Sequence, residues 1–346
     1  MPSYFEMTPD QREQECQVLT DRYQFYLDQK LKLNMTRGKP CPEQLDLSSG
    51  LMTSLAENDY IAQDGSDCRN YGGLDGLPEA KSLFADLLGT TAEHVSVLGN
   101  SSLNIMYDIL VKAMLFKLPG AAEPWCKLDQ VRFICPVPGY DRHFFVTKDL
   151  GFDMIPVPMT DEGPDMDVIE KLVAADSSIK GMWIVPVYSN PEGVTCSARV
   201  CQRLADMKTA APDFRIFWDN AYMIHHLDCD NADSTPEILK LCADAGNPDR
   251  VLEFASTSKI TWAGSGIACV AASPANLAFI HKHMSCQTIG PDKINQLRHC
   301  RFLRDKAGVI DLMASHARIL RPKFDLVDQI LQNEIADSGV CRWRKP

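Results

Sequence analysis

The stretch FASTSKITWAGSG, residues 254–266, ends an apolar strand-like run (Val251, Leu252, Phe254) in small hydroxyl residues. It then places a single lysine, Lys259, a few positions ahead of Gly264 and Gly266. A lysine seldom sits beside a buried strand end without a partner, because its charge is costly to desolvate. Two readings are open: a cation at the start of an ordinary loop with capping serines, or a nucleophile held in a cleft. The sequence on either side bears on the choice.

Working outward, short apolar runs alternate with helix-like periods. Strands are expected at 95–98, 131–135, 154–157, 182–187, 214–218, 251–254 and 267–271. Helices are expected at 77–88, 101–117, after Tyr140, 165–175 and 197–210. Such alternation predicts an α/β fold with a mostly parallel sheet covered by helices. A helix over 9–33 precedes it, with Val18, Leu19, Tyr23, Tyr26 and Leu27 near helical spacing, then a loop with Gly38, Pro40 and Pro42. Residues 292–335 read as one long helix or two in succession. In open parallel sheets ligands bind outside the carboxyl ends of the strands, so the residues just after each strand are the ones to inspect.

Composition narrows the function classes. The chain has 346 residues and a formal charge of −11, which argues against a nucleic-acid binder, since those carry a basic face. No uncharged apolar run approaches the roughly 18 residues of a membrane span. The first thirty residues, with Asp10, Glu13, Glu15 and Asp21, do not read as a secretory signal. The 13 cysteines are scattered without a CxxC pair or zinc-type spacing, which predicts structural thiols in a reducing cytoplasm. The sequon-like Asn34-Met35-Thr36 carries no meaning there. His225 and His226 lack a third ligand in a recognisable spacing, and no metal is expected.

The strand ends hold the chemistry. After 95–98 comes GNSSLNIM, in which Asn100, Ser101 and Ser102 open a helix; this suits either a bound phosphate or plain N-capping. After 131–135, PVPGYDRHF places Tyr140 where it stacks on a flat ligand or packs into the core. In YSNPEG, Asn190 is a turn residue or an amide donor to a ligand. In WDNAY, Asp219 closes a strongly apolar strand, where a carboxylate needs a cationic partner or serves as a cap. With Ser256, Ser258 and Lys259, these make a phosphate cradle, an aromatic plate, an amide, an acid and a lysine along one sheet edge. Pyridoxal 5′-phosphate satisfies that whole list.

With these residues in view, the chain resembles the fold-type-I pyridoxal-phosphate aminotransferases of class I/II, and within them the Ic-like aspartate aminotransferase subgroup. The resemblance runs from LNMTRGKPCPEQLDLSSG through YGGLDGLPEAK, GNSSLNIMYD, PVPGYDRHF, SNPEG and WDNAY to STSKITWAGSG. It implies that Lys259 forms the Schiff base and shuttles a proton, that Asp219 keeps the pyridine nitrogen protonated, and that Asn190 and Tyr222 bond the ring's 3-oxygen. It further implies that Tyr140 stacks on the ring and that Asn100, Ser101, Ser102, Ser256 and Ser258 bind phosphate. Tyr71 matches a family tyrosine that reaches a neighbour's phosphate, which implies a homodimer with shared sites. Arg37 and Gly38 lie in the segment that crosses the site, with Arg37, Gly38 and Asn190 expected at the substrate. The implied reaction is ping-pong exchange of an amino group between aspartate and 2-oxoglutarate.

Two departures accompany the resemblance. Many relatives carry a phosphate-gripping arginine shortly after the lysine, where this chain reads Gly264-Ser265-Gly266-Ile267. The arginine that binds the substrate α-carboxylate lies, in the family, in a carboxy-terminal small domain that this chain does not reach. The expected organisation is 1–50, an amino-terminal helix and site-crossing segment of the small domain; 51–295, the large cofactor domain; and 296–346, a helical connection into a truncated small domain. An inactive or impaired remnant of the family, and a lyase using the same cofactor residues, are the alternatives.

Overall fold

The computed structural model describes residues 3–34, 38–341 and 343–344. Among these described residues eight strands form one sheet: β1 (Val95–Val97), β2 (Arg132–Val137), β3 (Asp153–Thr160), β4 (Gly163–Pro164), β5 (Ile179–Ile184), β6 (Arg215–Asp219), β7 (Val251–Ser256) and β8 (Ala268–Ala272). Their order is β1-β8-β7-β6-β5-β2-β3-β4. The pairs β2/β3, β2/β5, β5/β6 and β6/β7 are parallel, as the alternating pattern predicts. β8 runs antiparallel to both β7 and β1, so residues 257–267 are the turn of a hairpin. That reversal returns the start of β8 to the edge where the parallel strands end.

The helices are α1 (Pro9–Asp28), α2 (Pro42–Asp46), α3 (Pro78–Leu88), α4 (Ser102–Leu115), α5 (Asp141–Asp149), α6 (Met166–Ala175), α7 (Ala198–Asp206), α8 (Ile238–Asp244), α9 (Pro274–Met284), α10 (Lys293–Leu303) and α11 (Lys306–Ile335). Side chains alternate across the strands, and both faces of the sheet are apolar. Ile216 and Trp218 of β6 join one buried cluster with Ile134, Met182 and residues of α3, α6, α7 and α8. Phe217, between them in sequence, joins the other with Phe133, Trp183, Phe254 and residues of α4 and α9.

Several boundaries differ from expectation. β5 lies three residues earlier than 182–187, because Pro186 has no N–H for the ladder. Its early part hides Lys180 against Asp213 at 2.8 Å, a charged residue that masks the strand in the sequence. β3 extends through Pro156 and Pro158, which fits a strand whose other neighbour is only the two-residue β4. Residues 292–335 are two helices: Arg304 takes φ 67° and Asp305 caps α11 through the N–H of Gly308. α1 stops at Asp28 rather than at 33, and none of its residues is buried. α8 and α9 lie beyond the expected elements, although Ser273-Pro274 is an N-cap followed by proline at the first helical position.

Candidate active site

The sheet order reverses between β2 and β5, since the chain leaves β2 for β3 on one side and later lays down β5 on the other. The crevice outside the carboxyl ends of such a pair is the natural ligand position. A cleft of about 450 Å³ lies there, lined by Tyr140, Asn190, Asp219, Tyr222, Lys259 and Gly38 among others. Residues from the ends of β2, β5, β6 and β7 therefore meet although they are far apart in sequence.

Asp219 is the last residue of β6 and is 4% exposed. His143, on α5, approaches its Oδ2 with Nε2 at 3.0 Å, and both side chains are buried. The imidazole lies flat against Trp183, with ring centroids 4.4 Å apart and planes at 7°. Tyr140 meets the same imidazole edge-on at 5.1 Å. The indole N–H of Trp183 donates in turn to Thr147 at 2.8 Å. The ring that supports the carboxylate is thus locked by stacking on one side and by an aromatic edge on another. Oδ1 of Asp219 is buried with no hydrogen-bond partner among the described residues. A buried carboxylate oxygen without a donor is costly, and it marks the place where a ligand N–H belongs.

Tyr222 lies one turn beyond Asp219. Burial pushes its hydroxyl up to about 12, the charge of Asp219 and the hydroxyl of Tyr140 add to the rise, and a hydrogen bond with the Asn190 side chain opposes it. The phenol therefore stays protonated at neutral pH and remains a donor. Lys259 Nζ sits 4.9 Å from the centroid of the Tyr222 ring. His225 stands edge-on to Tyr222 at 5.6 Å, its two ring nitrogens buried and without partners among the described residues. Burial, with the nearby charge of Lys259 adding to it, pushes that imidazole down to about 3, so it is neutral. Among the described residues no three potential ligands group around a metal position.

The expected phosphate residues are contiguous but lie to one side. Ala268 opposes Ser256 in the hairpin, and its N–H donates to the carbonyl of Gly99 at 2.8 Å. The end of β7 thereby adjoins the segment Asn100-Ser101-Ser102 that opens α4. Ser101 stands at the N-cap of α4 without making a side-chain capping bond, so plain capping does not account for it. Ser256 is buried and Ser258 half-buried, one before and one after Thr257 in the same turn. Asn100 lines a second cleft, of about 400 Å³, rather than the one holding Lys259. Tyr71 is 82% exposed, and its carbonyl accepts from Lys293 at 3.2 Å. Arg37 lies outside the described residues, while its neighbour Gly38 reaches the main cleft. His143 is the residue that strand-end reasoning misses, because it sits inside a helix; its only sequence signal is a histidine three positions after Tyr140.

The family model described as aspartate amino-transferase matches residues 7–346. An aspartate aminotransferase of Corynebacterium glutamicum is 47% identical over 319 residues, which cover 91% of this chain and 73% of that protein. A protein of Mycolicibacterium smegmatis named as an aminotransferase is 49% identical over 92% of this chain and 74% of its own. The crystal structure of an aspartate transaminase from Corynebacterium glutamicum superposes with a TM-score of 0.96 at 44% identity, covering 99% of this chain and 80% of that one.

Proposed function

The chain belongs to the aspartate aminotransferase family, and we propose that it transfers the amino group of aspartate to 2-oxoglutarate with pyridoxal 5′-phosphate held at the edge of its sheet. Amino-group transfer is the activity of its relatives; the amino donor, the acceptor and the residue roles are our reading. The observation that carries it is the buried, partnerless Oδ1 of Asp219 facing a cleft that also holds Lys259. A protonated pyridine nitrogen supplies the missing donor, and the remaining lining residues fit the rest of that ring.

When bound, the cofactor supplies a sink for the electrons released at the substrate α-carbon. Asp219, held by His143, keeps the proton on the ring nitrogen. Tyr222 and Asn190 donate to the ring's 3-oxygen, and burial keeps Tyr222 able to do so. Tyr140 covers a ring face. Lys259 would anchor the cofactor aldehyde and, once freed by the substrate, serve as the general base and then the general acid for the substrate's α-proton. Asn100, Ser101, Ser102, Ser256 and Ser258 take the phosphate. Arg37 and Asn190 contact the substrate carboxylate. By likeness to the family, Tyr71 reaches the site of a second copy and the working form is a homodimer; the exposure of Tyr71 suits that role. The division at residues 50 and 295 belongs to the same proposal, as does a cytoplasmic setting; no helix among the described residues is long and apolar enough to cross a membrane.

The test mixes the purified protein with pyridoxal phosphate and records the visible band, with Lys259→Ala alongside, then adds aspartate and 2-oxoglutarate. A Lys259-dependent band together with glutamate and oxaloacetate formation is expected. Absence of the band overturns the cofactor assignment. A band without amino transfer overturns the substrate assignment, and release of alanine or an amine from aspartate indicates lyase chemistry.

A further inference from the structure

Gly264–Ile267 carries no arginine, yet one reaches this stretch from α10. Arg298 Nη2 donates to Ser265 Oγ at 2.6 Å and to its carbonyl at 3.3 Å, and Nε donates to Asn295 Oδ1 at 2.7 Å. All three acceptors are neutral. No ion pair among the described residues includes Arg298. The guanidinium is only partly buried and lines the second cleft together with Gly99, Asn100, Gly264 and Ser265. The one carboxylate on that lining, Asp292, is occupied as the cap of α10, accepting the Asn295 N–H at 3.0 Å.

The cleft joins the lysine turn through the backbone. Gly99 is bonded to Ala268, which opposes Ser256, and the Asn295 amide donates to the Gly266 carbonyl at 2.9 Å. Gly99 and Asn100, which lead into α4, therefore line one cleft with the guanidinium, and Ala268 ties that cleft to the end of β7. Ser101 gives α4 no side-chain cap, and the first N–H groups of a helix carry partial positive charge. A helix terminus, a serine hydroxyl and an arginine without a counter-ion together suit a dianion.

We infer that Arg298 supplies the cation for the cofactor's phosphate, delivered from α10 instead of from the lysine turn. Ser265 orients the guanidinium with its hydroxyl and carbonyl. This inference rests on the cofactor reading above and adds the residue that neutralises the phosphate.

Wild type, Arg298→Gln and Arg298→Lys are stripped of cofactor and titrated with pyridoxal phosphate and, separately, with pyridoxal, which lacks the phosphate. The readout is the dissociation constant from the Lys259-dependent visible band. Arg298→Gln is expected to weaken pyridoxal phosphate by about 10- to 100-fold, the size of a lost charge-assisted hydrogen bond. Its affinity for pyridoxal stays within about twofold of wild type, because no phosphate contact is involved. Arg298→Lys, which keeps the charge but not the fork, falls between the two. Should Arg298→Gln fail to fold, Arg298→Lys carries the test: a loss confined to pyridoxal phosphate supports the inference. Unchanged affinity for pyridoxal phosphate, or an equal loss for both aldehydes, overturns it, the latter assigning Arg298 to holding the Ser265 turn. A wild type that binds neither aldehyde overturns the cofactor reading itself, and this inference with it.

Discussion

Glu253→Gln is expected to stabilise the protein at pH 8 and to leave it nearly unchanged at pH 5. Glu253 lies in the middle of β7, 3% exposed, between Trp218 of β6 and Ala271 of β8. Asn220 Nδ2 donates to its Oε1 at 2.9 Å, while Oε2 of Glu253 and Oδ1 of Asn220 have no partners among the described residues. Both orphaned atoms belong to one bonded pair, and a single proton on Oε2 supplies the donor the pair lacks. Burial, with the carboxylate of Glu237 adding to it, pushes the Glu253 carboxyl up from 4.5 to about 8, and the Asn220 amide only partly opposes it. The folded protein therefore keeps a proton that the unfolded chain releases between those two values. Stability tied to this group is complete below pH 4.5 and falls as pH rises, by about 1.4 kcal/mol per pH unit, until the folded carboxyl also ionises near pH 8. A gap of about 3.5 pH units makes the total about 5 kcal/mol. Glutamine presents both a donor and an acceptor to Asn220 and cannot ionise. Denaturant unfolding of both proteins from pH 5 to 9 measures the difference, in which contributions from other groups cancel. The variant's advantage is expected to grow with pH and level off above 8. Two parallel curves, or a glutamine variant weaker by a constant amount, refute a protonated Glu253.

The sequence is most legible where chemistry sits at the end of an apolar run. Asp219, Asn190, Tyr140 and Lys259 each follow a buried strand, and the parallel order of β2, β5, β6 and β7 gathers them on one edge. The direction of β8 is not legible that way, because an antiparallel hairpin strand and a parallel buried strand present the same short apolar run. β5 is misplaced for a related reason: the buried Lys180–Asp213 pair puts a charge where the pattern demands an apolar residue. His143 escapes because its partner is 76 positions away, and its place on α5 is explained only by the face that α5 turns to Asp219 and Trp183. The contact of Arg298 with Ser265 escapes for the same reason, since the sequence of the lysine turn cannot show a side chain arriving from α10. Local pattern reports what an element contains, and the pairing of elements decides which residues share a site.

Thiol labelling of the native protein with an aromatic disulfide is expected to modify the five exposed cysteines (16, 126, 229, 286 and 341) rapidly and Cys41 more slowly, with the seven buried ones reacting only on unfolding. Rapid reaction of Cys135, whose thiol burial pushes up to about 12, contradicts the core packing described. His143→Ala leaves the buried Asp219 carboxylate without its one hydrogen-bond partner among the described residues and opens a gap against Trp183, so a loss of about 3–5 kcal/mol is expected in denaturant unfolding. Most of that loss is charge rather than shape if His143 serves the carboxylate. Adding Asp219→Asn to His143→Ala is therefore expected to recover part of it, because the amide carries no charge to strand in the core. Strictly additive losses in this double-mutant cycle refute the coupling, and with it the view that the imidazole is there to hold Asp219.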